Sequence, residues 1–194
     1  MNKRKAMGTI LIVIGLGILI TAVSMKLWGY YKQKNMVDAF QKTIENIDKT
    51  SETTTTNSTK ETLIDDSVLG IVTIPKINLS VALGEDVDSK ILKYAVGHFK
   101  GTALPGSIGN CCIAGHRSYT YSEYFNRLDE LKTGDEINIK TKSGTYTYVV
   151  YDTFVVKPTQ TEVLNPSKDA ELTLITCTPI RIATHRLIVK ARMK

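Results

Sequence analysis

From Met7 to Met25 the chain runs 19 residues without a single charge. A helix rises about 1.5 Å per residue, so this stretch nearly crosses a hydrocarbon core of about 30 Å. Lys3, Arg4 and Lys5 precede it. A positive flank stays in the cytoplasm, which puts the C-terminal bulk outside. Trp28, Tyr30 and Tyr31, with Lys26 and Lys32 beside them, suit the outer interface. The competing reading is a cleaved signal peptide, with Ala22-Val23-Ser24 as a small-x-small site. The apolar run exceeds the usual signal-peptide apolar core of about 7 to 15 residues, which favours an uncleaved single-pass anchor in the cell membrane. Residues 1–6 are then a cytoplasmic basic flank and 7–28 the anchor.

Beyond the anchor, Met36, Val37, Phe40, Ile44 and Ile47 recur at helical spacing among polar residues. That narrow stripe predicts a helix that continues the anchor outward or rests on the following domain. Ser51 to Thr62 (SETTTTNSTKET) holds no apolar residue and reads as a polar linker. Residues 29–67 therefore form an extracytoplasmic helix and linker. The folded domain is expected over 68–194, long enough for one core.

Strand signals dominate that domain. Leu69 to Pro75, Ile77 to Leu83, Asn110 to Ala114, Asp135 to Thr141, Thr145 to Val156, Leu172 to Thr176 and Leu187 to Lys190 are apolar, β-branched or alternating. Lys142-Ser143-Gly144 turns one run into the next as a β-hairpin. Helices are expected only over Asp88 to Tyr94 and Glu123 to Leu131, the latter with Phe125, Leu128 and Leu131 on one face. Many short strands with few helices predict a mainly β fold, a closed or nearly closed β-barrel.

Net charge is +6, half of it from Lys3, Arg4 and Lys5. The remainder is modest, and no basic run interleaved with aromatics follows the anchor, so nucleic acid is not an expected partner. The three cysteines, Cys111, Cys112 and Cys177, form no disulfide framework. Three cysteines and three histidines without paired ligand spacing disfavour a zinc site. Cys111 and Cys112 lie in an apolar strand and read as core.

Cys177 differs, because it ends an apolar strand and meets Thr178-Pro179 at once. Period-two alternation puts Cys112, Ala114 and His116 on one face of their strand, Thr173, Ile175 and Cys177 on one face of the next, and Thr184, Arg186 and Ile188 on one face of the last. If those strands are neighbours, a thiol, an imidazole and a guanidinium converge, which are the parts of a cysteine nucleophile acting on a carbonyl. Each taken alone has a plainer reading: a core thiol, a surface histidine and a solvated strand arginine. His98 and His185 compete for the imidazole role, and Arg117 and Arg181 for the guanidinium role. His185 faces away from whatever Arg186 faces.

Leu172-Thr173-Leu174-Ile175-Thr176-Cys177, Ala114-Gly115-His116-Arg117 and the Thr-x-Arg-Leu-x-Val strand at 184–189 together resemble the sortases. Gly97-His98-Phe99, Thr102, Leu104-Pro105-Gly106, Gly109-Asn110 and Ile113 lead into the histidine motif in the same order; Phe125, Leu128, Leu131 and Gly134-Asp135 follow it. The resemblance covers roughly residues 68–190. It implies an eight-stranded sortase-type barrel and a cysteine transpeptidase. Cys177 would attack after the threonine of an LPxT-type sorting signal, His116 would move the proton, and Arg186 would hold the oxyanion. An amine of a cell-wall precursor would release the product. Class D is favoured over the pilin-type class C, since no Asp-Pro-Trp or Asp-Pro-Phe lid segment precedes residue 97. The resemblance further implies a substrate groove beside Cys177, with Thr176, His98, Leu104, Val163, Leu164 and Ile182 as contacts; Ala103 and Pro166 are further candidates. No cofactor is expected. Calcium, which some sortases use, would have to come from the scattered Asp129, Glu130, Glu162 and Glu171, which read more simply as solvated charge. A peptidase using water, a non-catalytic peptide-binding barrel and a pilin-polymerising enzyme remain as alternatives.

Overall fold

The computed structural model describes residues 3–50, 68–117 and 123–194. The Thr-rich linker at 51–62 lies outside the described residues, as do the side chains of Phe40, Ile44 and Ile47. The apolar run and the stripe that follows lie on one continuous helix, α1 (Lys3–Thr50). Its apolar part is long enough to cross a membrane by length and composition. Large apolar side chains from Ile10 to Leu27 stand half or more exposed.

Farther along, α1 meets the domain. Met36 is buried with Val68, Ile71, Ala82 and Ala95, and Val37 packs beside it. Gln33 donates to the Ser80 carbonyl at 3.1 Å, and the Lys32 ammonium lies 4.7 Å from the Tyr94 ring centre. Met36 and Val37, the described part of the stripe, thus continue the apolar helix and rest on the domain.

The domain is a closed eight-stranded barrel. Its strands are β1 (Val68–Ile74), β2 (Leu79–Glu85), β3 (Val96–His98), β4 (Gly109–Ala114), β5 (Glu136–Thr141), β6 (Gly144–Val156), β7 (Ala170–Thr178) and β8 (His185–Met193). They follow one another around the barrel as β1-β2-β3-β4-β7-β8-β6-β5, and closure returns β5 to β1. The β2–β3 and β4–β7 pairs are parallel; the others are antiparallel. β5 and β6 form the expected hairpin, with Thr141 opposite Gly144. β3 has three residues, too few to leave a periodic signal in the sequence.

Alternation sorts each strand between barrel interior and exterior. Val72, Leu83, Ile113, Ile139, Tyr148, Leu172, Leu174, Leu187 and Val189 fill the interior. Cys111 joins them, and both Cys111 and Cys112 are buried free thiols, as expected of core cysteines. The expected helix over Glu123 to Leu131 is instead two 3-10 turns, Glu123–Phe125 and Leu128–Glu130. Phe125, Leu128 and Leu131 nonetheless share a buried face. Their strict three-residue spacing matches a 3-10 turn, in which i and i+3 eclipse. The helix expected over Asp88 to Tyr94 shrinks to one turn, α2 (Ser89–Leu92), capped by the Asp88 carboxylate accepting from the Ile91 N–H at 2.8 Å.

Tyr148 crosses the barrel interior, and its hydroxyl accepts from the Gly106 N–H at 2.8 Å. Burial pushes the phenol up to about 12, so this bond is insensitive to pH across the neutral range. Tyr148→Phe leaves the Gly106 N–H without its partner, at a cost of about 1–3 kcal/mol. The expected outcome is a thermal midpoint lower by roughly 3–10 °C for a domain of this size. An unchanged midpoint would contradict this role for the hydroxyl.

Candidate active site

Three neighbouring strands, β4, β7 and β8, carry the three candidate residues to one end of the barrel. β4 and β7 run parallel with Ala114 opposite Ile175. The ladder continues past β4: the Gly115 N–H donates to the Ile175 carbonyl at 3.1 Å, and the Thr176 hydroxyl donates to the Gly115 carbonyl at 2.7 Å. His116 therefore emerges alongside Cys177. On the other flank, Cys177 pairs with Arg186 in the antiparallel β7–β8 register. Directly opposed residues share a face, with Cβ atoms about 4.5–5.5 Å apart. Leu174 and Leu187 occupy the interior, so alternation turns Cys177 and Arg186 to the exterior. Cys177 and Arg186 are partly accessible and His116 is exposed.

Gly115 is required where it stands. A Cβ there would lie 2.5 Å from the Phe125 ring, which packs beneath the histidine segment. The Phe125 N–H in turn donates to the His116 carbonyl at 3.2 Å. The turn between β7 and β8 is closed by the Ala183 N–H on the Pro179 carbonyl at 2.9 Å, with Arg181 and Ala183 left-handed (φ 71° and 59°). One terminal nitrogen of Arg186 donates to the Ala183 and His185 carbonyls at 3.2 and 3.0 Å. Its Nε and other terminal nitrogen have no protein partner among the described residues.

The rival groups separate cleanly. Arg117 is almost fully buried and committed: it donates to the Asn126 carbonyl at 3.2 Å and the Thr178 hydroxyl at 3.0 Å, and pairs with Asp129 at 2.8 Å. It ties the residue after His116 to the residue after Cys177, a role the sequence pattern did not reveal. His185 lies opposite Thr178, off the Cys177 face, with Nδ1 3.0 Å from the Thr184 hydroxyl. His98 does not support the site. Its ring is buried on the face away from Phe99, with Nδ1 3.0 Å from Glu85 and Nε2 3.0 Å from the Ala103 carbonyl.

An exterior groove reaches Arg186, the β8 residue paired with Cys177. Phe99, Val156, Val163, Leu164, Ile175 and Ile188 line a hollow of about 140 Å³, and Arg186 stands at its edge. Val163 and Leu164 come from a 3-10 turn (Thr161–Leu164) in the β6–β7 loop. A larger hollow of about 280 Å³ between α1 and the barrel, lined by Trp28, Tyr30, Tyr94 and Tyr124, contains none of the three candidate residues.

Two other expected contacts fall elsewhere, and a third lies on the turn after Cys177. Thr176 alternates away from Cys177, is buried, and spends its hydroxyl on Gly115. Leu104, 51% exposed, sits in the loop entering β4, while His116 follows its exit; six residues at about 3.3 Å each separate the two ends. Ile182, 68% exposed, lies on the β7–β8 turn that follows Cys177. Of the acidic residues weighed for calcium, Asp129 pairs with Arg117, Glu130 with Arg127, and Glu171 with Lys190 and Arg192. Among the described residues no cluster of His, Cys, Asp or Glu is arranged to hold a metal ion. Phe99 and Asn110 were missed as groove-forming residues; Asn110, a polar residue inside an apolar strand, carried the signal.

Burial separates the cysteines chemically. It pushes the Cys112 thiol up to about 11 and Cys111 further still. Near pH 7.5 fewer than about one in a thousand of the Cys112 thiols is then thiolate, the reactive form. The expected outcome is one iodoacetamide label per native chain, on Cys177, and three after denaturation, read by peptide mass mapping. A native chain that also labels at Cys111 or Cys112 would contradict the assignment.

A family model described as the sortase domain matches residues 72–194. Sortase D of Bacillus subtilis (strain 168) is 33% identical over 111 residues, which is 57% of this chain and 54% of that protein. Sortase A of Streptococcus agalactiae serotype III (strain NEM316) is 29% identical over 133 residues, 66% of this chain and 53% of that protein. The chain thus spans about half the length of these curated relatives. Among solved structures, a Clostridium perfringens sortase D5 transpeptidase superposes with a TM-score of 0.67 at 32% identity, covering 84% of this chain and 98% of that one. Sortase C1 of Streptococcus agalactiae gives 0.64 at 32% identity, covering 85% and 89%. The domain match takes in well over half the residues, including all three strands of the site, and the chain belongs to the sortase family.

Proposed function

We propose that the chain is a membrane-anchored cysteine transpeptidase acting on LPxT-type sorting signals, of the class D type. The observation that supports it most is the β4-β7-β8 adjacency, which sets Cys177 opposite Arg186 with His116 alongside.

The chemistry follows from what each group can do. The Cys177 thiolate attacks the carbonyl carbon of the threonine, and the carbonyl oxygen takes the negative charge. Arg186 donates N–H groups to that oxyanion and keeps its own charge throughout, which a compact ammonium would do with fewer fixed donors. The tetrahedral species collapses, the carbon–nitrogen bond breaks, and His116 gives a proton to the leaving amine. A thioester to Cys177 remains. An incoming amine attacks it, His116 accepts the amine proton, and the sulfur leaves as thiolate. The acceptor amine is assigned to a cell-wall precursor. The side chains of Val163 and Leu164 offer apolar contact for the peptide in the groove. The exposed apolar flank of α1 suits a bilayer rather than water, with Lys3, Arg4 and Lys5 on the cytoplasmic side and the barrel outside.

Incubating the protein with an LPxT-type peptide and a primary amine tests the reading. The expected product joins the peptide through threonine to the amine. Cys177→Ala abolishes it, and Arg186→Lys lowers turnover by about 10²–10³-fold. Hydrolysis with no amine incorporated would identify a peptidase and overturn the transpeptidase assignment. Pilin polymerisation would appear as transfer to a lysine of a second substrate protein.

A further inference from the structure

We infer that Asn110 is the positioning residue that holds the wall of the groove, and that it thereby sets how tightly a peptide is held beside Cys177; the second half rests on the transpeptidase reading. Asn110 lies on the outward face of β4 and is 1% exposed. Its Nδ2 donates to the Val163 carbonyl at 2.9 Å and to the Asn165 carbonyl at 3.0 Å, so both amide protons are spent on the β6–β7 loop. Its Oδ1 accepts from the Thr173 hydroxyl on β7, itself fully buried. Only this orientation of the amide works, since the reverse sets its oxygen against two carbonyls.

The two loop carbonyls flank Leu164, and Val163 and Leu164 form the groove wall. That loop runs from Lys157 to Asp169, and the 3-10 turn within it is four residues long and buries no residue. Its packing on the floor is limited to the partly buried Val163 and Leu164 against Val156, Ile175 and Ile188. Asn110 supplies a fixed point from inside the barrel wall, and it pairs with Glu171, six residues before Cys177 along β7. It therefore touches neither the thiol nor the peptide. Its effect reaches the substrate through the loop alone.

Asn110→Asp keeps the shape and the acceptor for Thr173 but removes both donors. Asn110→Ala removes all three bonds without adding a charge. Each variant is normalised to the thiol count at Cys177, so that unfolded material is excluded. The expected outcome is a KM for an LPxT-type peptide raised about tenfold or more, with kcat and the Cys177 alkylation rate within about threefold of wild type. Backbone amide hydrogen exchange over 161–165 accelerates without peptide present, while exchange in β7 and β8 stays as in wild type. Thr173→Val, which spares the two donors to the loop, keeps the wild-type KM. An unchanged KM with unchanged exchange over 161–165 overturns the inference. So does a loss of kcat and thiol reactivity together with general acceleration of exchange, since that marks a folding role only. If the wild type turns over no such peptide, the transpeptidase reading fails, and the exchange measurement still decides whether Asn110 holds the loop.

Discussion

The hydrogen-bonded ladder on both edges of β7 is the constraint from which the site follows. On one edge, parallel pairing with β4 continues through Gly115 to the end of the strand. On the other, antiparallel pairing with β8 aligns Cys177 with Arg186. Ladder spacing is a property of the backbone, so it holds three side chains from distant parts of the sequence in register without any bond among them. A slip of one residue in either pairing would turn a site residue into the barrel core. The packed interior opposes such a slip: Leu174, Leu187 and Val189 would all have to leave it, and Thr173, Arg186 and Lys190 would have to enter.

The same alternation explains why the groove lies on the outside of a closed barrel. The interior is filled by side chains and leaves no room for a peptide. Cys177 and Arg186 face outward, where Ile175, Ile188 and Val156 provide an apolar floor and the β6–β7 loop a wall. Arg117 and Asn110 complete the arrangement from beneath. The first joins the His116 and Cys177 segments through Thr178; the second joins β4 to the loop. Both are buried and both spend their donors on backbone or neighbouring side chains, so they fix geometry instead of meeting substrate.

Much of this was legible in the sequence because alternation is legible. The runs at 110–114, 135–141, 145–156 and 172–176 all lie in strands, and alternation in β7 and β8 puts His185 on the face opposite Cys177 and Arg186. What stayed hidden depended on long-range packing. The three residues of β3 carry too little pattern to be seen. Leu104 precedes the histidine motif closely in sequence, yet β4 carries it to the far end of the barrel. Thr176 is next to Cys177, and that adjacency itself turns it to the opposite face. His98 looked like a second imidazole for the site, but Glu85 and the Ala103 carbonyl occupy both its nitrogens. The three-residue spacing of Phe125, Leu128 and Leu131 is one that a helix and successive 3-10 turns both accommodate.

The central claim is that Cys177 carries the acyl group, and the intact mass of the protein after rapid quenching with an LPxT-type peptide tests it most directly. The expected result is a mass increase equal to the peptide up to its threonine, mapped to Cys177, absent in Cys177→Ala and discharged on adding an amine. Turnover of the peptide with no adduct at Cys177 under any quench, or an adduct on another residue, would contradict it.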